Sequence, residues 1–181
     1  MREEHWKKEI DTVTGKFIKS FGSFTESQLN YKPDPKGWSV AQNIAHLILL
    51  NNSYFHNFDE IKKDKHDLPQ VDAMEKLVAN SLQTLRPYTS EERPKRGNTW
   101  NIWQPSHEPF SLKIVDDFAN HQSVFKLHIA ELQAFFLKPT FIKYPGETTL
   151  VFRLEDCIDF LIEHENRHWI QAHEVNTNNT A

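Results

Sequence analysis

LEDCIDFLIEHENRHWIQAHEV, residues 154–175, decides how the rest of the chain is read. It is compatible with helix throughout and places His164 and His168 four residues apart. Residues i and i+4 share one helix face, with Cβ atoms about 5–6 Å apart, so two imidazoles there can converge on one ion. A single helix rarely offers more, and a third ligand has to come from another element. His46, mid-way along an earlier apolar-periodic segment, is the candidate. Three neutral histidines leave a fourth coordination position for water or substrate, the pattern of a catalytic zinc site rather than a closed structural one. With ten histidines in 181 residues, one such pair arises readily by chance, so its weight depends on the surrounding sequence.

That surrounding sequence is helical in pattern. Trp6, Ile10, Val13, Phe17 and Phe21 form one stripe over Glu3 to Phe21, and Gly22 breaks it. Tyr31 to Gly37 is a connector whose two prolines disfavour helix at the residues before them. Ser39 with Gln42 has the form of a capping box, with Trp38 at the preceding position, and predicts a helix from Ser39 to about Lys62. Its stripe is Val40, Ile44, Leu47, Ile48, Tyr54, Phe55, Phe58 and Ile61. A short helix is expected from Asp72 to about Leu85, and a long one from Ser111 to Leu137, ended by Pro139. After a turn at Tyr144-Pro145-Gly146, the last helix is expected over Leu150 to about Val175. From Arg86 to Pro109 periodicity disappears and four prolines intervene. A loop that long in a compact domain is commonly functional or disordered.

The expected fold class is therefore all-α: a four-helix bundle with one short extra helix and a long loop containing Pro, Trp100 and Trp103. Residues 1–175 are expected to form one domain, and 176–181 a polar tail that frays. Five glycines provide little material for the turns of an all-β fold. One cysteine, Cys157, excludes an intramolecular disulfide framework and the cysteine-rich zinc motifs. It lies about 10 Å along the helix from His164 and is expected in the core. A charged amino terminus and the lack of a long apolar run predict a cytoplasmic protein with no membrane role. A formal charge of −4 argues against nucleic acid, and the basic run Arg93, Lys95 and Arg96 is too short to reverse that.

The string His164-Glu165-Asn166-Arg167-His168 also fits the H-E-x-x-H pattern of metallopeptidases. The residues from Trp169 to Ala181 are expected to hold no second helix with a distant glutamate ligand. Gln171 and Glu174 occupy the glycine and third-histidine positions of the extended motif. A di-iron carboxylate bundle would need two Glu-x-x-His pairs on separate helices, and only Glu165 with His168 fits.

Gly37-Trp38-Ser39-Val40-Ala41-Gln42-Asn43-Ile44-Ala45-His46-Leu47 resembles the start of the second helix in the DinB/YfiT-like metalloenzyme family. Tyr144-Pro145-Gly146-Glu147-Thr148-Thr149-Leu150 and His164 to Gln171 resemble that family's turn and final-helix signature. Tyr144 stands where a histidine is frequent, and Gln42 where a glutamate is common. The resemblance implies an up-down-down-up bundle holding a divalent ion on His46, His164 and His168. Zinc and nickel are expected ahead of iron or manganese, since imidazole suits several of these metals.

Members of the family include bacillithiol-type thiol S-transferases and mycothiol-dependent isomerases. The resemblance thus implies transfer of a low-molecular-weight thiol cosubstrate to a small-molecule electrophile. A metal-dependent hydrolase and a non-catalytic binding bundle are the alternatives. Gln42 and Asn43, one turn before His46, and Gln171, one turn after His168, are candidates to orient the imidazoles. His128 and His121 are candidates to line the pocket. Trp100 and Trp103 are candidates for a lid or for the surface of an expected homodimer.

Overall fold

The 4-3-4-4 spacing of Trp6, Ile10, Val13, Phe17 and Phe21 becomes the fully buried stripe of α1, Arg2–Phe21. A computed structural model describes residues 2–65, 68, 74–89 and 99–177. Ser39 caps α3, Val40–Lys62: its hydroxyl accepts from the Gln42 backbone N–H, and the Gln42 side chain accepts from the Ser39 N–H. The two remaining long helices are α5, Lys113–Glu131, and α6, Leu154–Thr177. Two shorter helices complete the set: α2, Glu26–Asn30, between α1 and α3, and α4, Met74–Thr89, between α3 and α5.

Cross-helix contacts set the directions. Trp6 bonds Asp159 and Lys16 bonds Asn166, so α1 and α6 run parallel. Asn52 pairs with His121 and Lys62 with Glu131, so α3 and α5 also run parallel. Asn43 meets His168 while Tyr54 meets Phe160, and Asp11 meets Lys126 while Phe17 meets Phe118. These make α3 antiparallel to α6 and α1 antiparallel to α5. The order is up-down-down-up, as the resemblance implied.

Two apolar clusters fill the bundle. One gathers Phe17, Phe21, Val40, Ile44 and Phe118; the other gathers Trp6, Tyr54, Phe58, Phe125 and Ile158. Between them, at one level of α3, α5 and α6, lies a layer of buried polar side chains: His46, Asn51, Gln122, His164, Glu165 and His168. No helix among the described residues is long and apolar enough to cross a membrane.

Several expectations change. Residues 150–153 are strand: β2, Glu147–Arg153, pairs antiparallel with β1, Phe141–Tyr144, in register Ile142 with Phe152 and Lys143 with Val151. The last helix therefore begins at Leu154, because a short apolar run reads alike as helix or buried strand. The helix expected through Leu137 leaves α-geometry at Leu132 and continues as a 3₁₀ turn, Gln133–Leu137. The α4 backbone runs past Leu85 to Thr89, and its buried Met74 and Val78 cover Phe141 and Val151 of the hairpin. The long loop carries a 3₁₀ turn, Asn101–Trp103. Of the expected tail 176–181, Asn176 and Thr177 belong to α6, while 178–181, with Asp72, Arg93, Lys95 and Arg96, lie outside the described residues.

Candidate metal centre

The capping box sets where α3 begins, and so places Asn43 and His46 in its first two turns, level with His168 and His164 of antiparallel α6. His46, His164 and His168 offer ring nitrogens that all lie within 4.8 Å of one another. They are 2 %, 9 % and 5 % exposed. The His46 and His164 Nε2 atoms are 3.1 Å apart.

The tautomers of two of the rings follow from their partners. The Trp103 carbonyl can only accept, so the 2.8 Å bond to His46 Nδ1 means that Nδ1 carries the proton. Asn43 donates its amide N–H to the Ser39 carbonyl at 2.9 Å, which turns its Oδ1 toward His168 Nδ1 at 2.8 Å. That oxygen accepts, so His168 is also protonated at Nδ1. Both rings thus have Nε2 as their lone-pair nitrogen, with a partner on the far nitrogen as metal-binding histidines require. The third ring, His164, has a buried Nδ1 with no hydrogen-bond partner and is held by stacking on Phe160 at 5.7 Å.

These residues fit a divalent ion. Tetrahedral zinc with bonds of about 2.0–2.1 Å separates its nitrogen ligands by roughly 3.3 Å, close to the observed 3.1 Å. Ligand imidazoles must be neutral. Burial lowers His46 to about 4, partly offset by the Trp103 carbonyl. Burial lowers His164 well below its usual value, helped by His46 and then Arg167. Without a cation, the His46 lone pair would face His164 Nε2, and only a proton on that atom would avoid two opposed lone pairs.

Of the expected supporting residues, Asn43 touches the triad, through His168 rather than through His46 on its own helix. Gln42 completes the cap and donates to the Ser106 carbonyl at 2.9 Å, and neither bond reaches an imidazole. Gln171 is half-buried and stays outside the triad's hydrogen bonds. His128 packs against Phe55 and Phe58, with Asp59 at 3.8 Å, and is not brought to the triad. His121 stacks on the same Phe55. Trp103 is 1 % exposed, which removes it from any dimer surface, whereas Trp100 keeps 38 % exposure.

Three residues near the triad were not singled out for it from the sequence. Trp38 lies against His46 and His168, with ring centroids 4.8 and 5.9 Å away. Tyr144 packs edge-on against Trp103. Glu165 is wholly buried, and its Oε1 accepts from Asn51 and Gln122 at 2.7 and 2.8 Å. Burial raises it to about 7, against the two amide bonds. Its polar side at i+1 from a ligand histidine was the available signal, but nothing in its spacing says which helices surround it.

A family model described as the DinB superfamily matches residues 9–172. The chain belongs to the DinB superfamily. No curated protein and no solved structure matches it.

Proposed function

We propose that this DinB-superfamily chain is a metal-dependent enzyme that transfers a low-molecular-weight thiol to a small electrophilic substrate. The observation that carries the reading is the triad itself: three buried imidazoles with their ring nitrogens gathered within 4.8 Å, two of them, His46 and His164, held toward the neutral form by burial. A divalent ion held by His46, His164 and His168, zinc or nickel first among the candidates, would acidify a thiol entering the remaining coordination position. In the reaction, sulfur bonds to the electrophilic carbon as the bond to its leaving group breaks, and the thiol proton departs with that group. Trp103 and Asn43 hold two imidazoles in their ligand tautomers. Trp38 and Phe160 surround the triad with apolar rings that exclude water, which strengthens charge interactions at the site.

A binding-only role, with a Trp-bearing loop recruiting a partner, is weakened because Trp103 is spent inside the molecule. The cytoplasmic setting and the homodimer belong to the same proposal, and sedimentation tests the latter.

Elemental analysis of protein purified without a histidine tag should give about one divalent ion per chain. His168→Ala should lose it and keep its helical circular dichroism. Thiol consumption with model electrophiles should then follow metal occupancy. Full occupancy in His168→Ala would end the triad reading. Turnover without any thiol would replace transfer by hydrolysis.

A further inference from the structure

The triad is joined to a part of the fold that carries none of its ligands. His46 Nδ1 donates to the backbone carbonyl of Trp103. The Trp103 indole is pinned at its other end, where Nε1 donates to Ser53 Oγ at 3.0 Å. Its six-membered ring lies on the turn between β1 and β2. A Cβ added at Gly146 would stand 2.8 Å from Trp103 Cη2, 3.1 Å from Trp103 Cζ3 and 3.1 Å from Tyr144 Cε1. Among the described residues no glycine has a positive φ, so Gly146 is not required for backbone conformation. Its use here is the space that a missing Cβ leaves for the Trp103 ring.

We infer that Gly146 is a positioning residue for the metal centre, acting through Trp103 on His46. This rests on the reading that the triad binds a metal. A methyl group at residue 146 must push the indole or the turn. The indole cannot yield alone, because Ser53 holds Nε1 and Tyr144 packs edge-on at 5.3 Å. Displacement therefore reaches the Trp103 backbone, whose carbonyl sets both the rotation and the tautomer of His46. Groups that hold a ligand histidine typically account for 10–100-fold in metal affinity.

The test is competition titration of metal-stripped protein with cobalt and zinc, beside thermal unfolding of the same stripped samples. Gly146→Ala should bind at least 10-fold more weakly than wild type. In Gly146→Ala with Trp103→Phe, the colliding atoms Cη2 and Cζ3 are gone while the backbone carbonyl stays, and affinity should return to that of Trp103→Phe alone, which lacks only the bond to Ser53. A residue that served only the fold would lower the melting temperature of stripped protein without that rescue.

Ser53→Ala, which adds no bulk, should weaken binding several-fold and decides the matter if Gly146→Ala does not fold. Wild-type affinity in Gly146→Ala, a double variant weaker than Trp103→Phe alone, or an unaffected Ser53→Ala standing in for an unfolded variant would each overturn the inference. A wild type that binds neither metal would instead remove the triad reading, and this inference with it.

Discussion

Asn43 determines which face of His168 meets the other two histidines. Its amide donates to the Ser39 carbonyl and its oxygen accepts from His168 Nδ1, so one side chain links a helix cap to a candidate ligand. Asn43→Ala should leave the three histidines in place yet lower metal affinity about 10–100-fold, read by competition titration. Asn43→Asp, which keeps an acceptor, should retain most of it. Spacing picked out the pair His164 and His168, and the resemblance of Gly37 to Leu47 and of His164 to Gln171 to the family's two helices joined His46 to it. The hold of Asn43 on His168 was not visible. It depends on α3 and α6 running antiparallel at one level, and sequence distance is silent on that. Trp103 was hidden for another reason: its contribution is a main-chain carbonyl, which every residue possesses.

The helix that carries His46 begins where local chemistry says it should. Ser39 and Gln42 satisfy each other's backbone N–H groups at the start of α3, and this cap holds the turn that bears Asn43 and His46. Ser39→Ala should cost about 1 kcal/mol, seen as a lower melting temperature, with a smaller relative loss of metal affinity than Asn43→Ala. A larger loss of affinity would mean that the cap, rather than the Asn43 side chain, governs the triad. The same kind of signal, Thr25 with Gln28, caps α2. At five residues that helix is too short to show a periodic stripe. The hairpin was misread because Leu150, Val151 and Phe152 form an apolar run that fits either period. Pairing with Phe141 to Lys143 and cover from α4 made it strand.

Across the whole molecule, the buried polar layer is supported from both ends by apolar clusters. Fully burying a Phe or Leu contributes about 1.5–3 kcal/mol, and both clusters hold several such side chains. The layer can therefore carry a destabilising group. Glu165 is one: Asn51 and Gln122 serve Oε1, while Oε2 has no hydrogen-bond partner.

Its carboxyl titrates near 7 in the fold against about 4.5 unfolded. The folded state thus holds the proton more tightly, and stability falls as pH rises from 4.5 through 7. Glu165→Gln in metal-stripped protein should remove that loss. It should be more stable than wild type at pH 8, by up to about 3 kcal/mol and so with a higher melting temperature, and show little gain at pH 4.5. Equal melting temperatures at both values would mean that the carboxyl is already compensated. His121, lowered to about 4 by burial and then by His128, works in the opposite sense. Its contribution is present above pH 6.5 and is lost as pH falls through 4.

The amino-acid sequence by itself determined the long helices, most of their ends and the pair His164 and His168, because periodicity, capping and i,i+4 spacing are local, while His46 was named by motif resemblance. The tertiary structure alone decided that the three rings meet, that Asn43 serves the opposite helix, that Trp103 turns inward and that Glu165 is sealed among amides. Those facts depend on which helix faces are level once the bundle closes, and apolar burial sets that level without regard to distance along the chain.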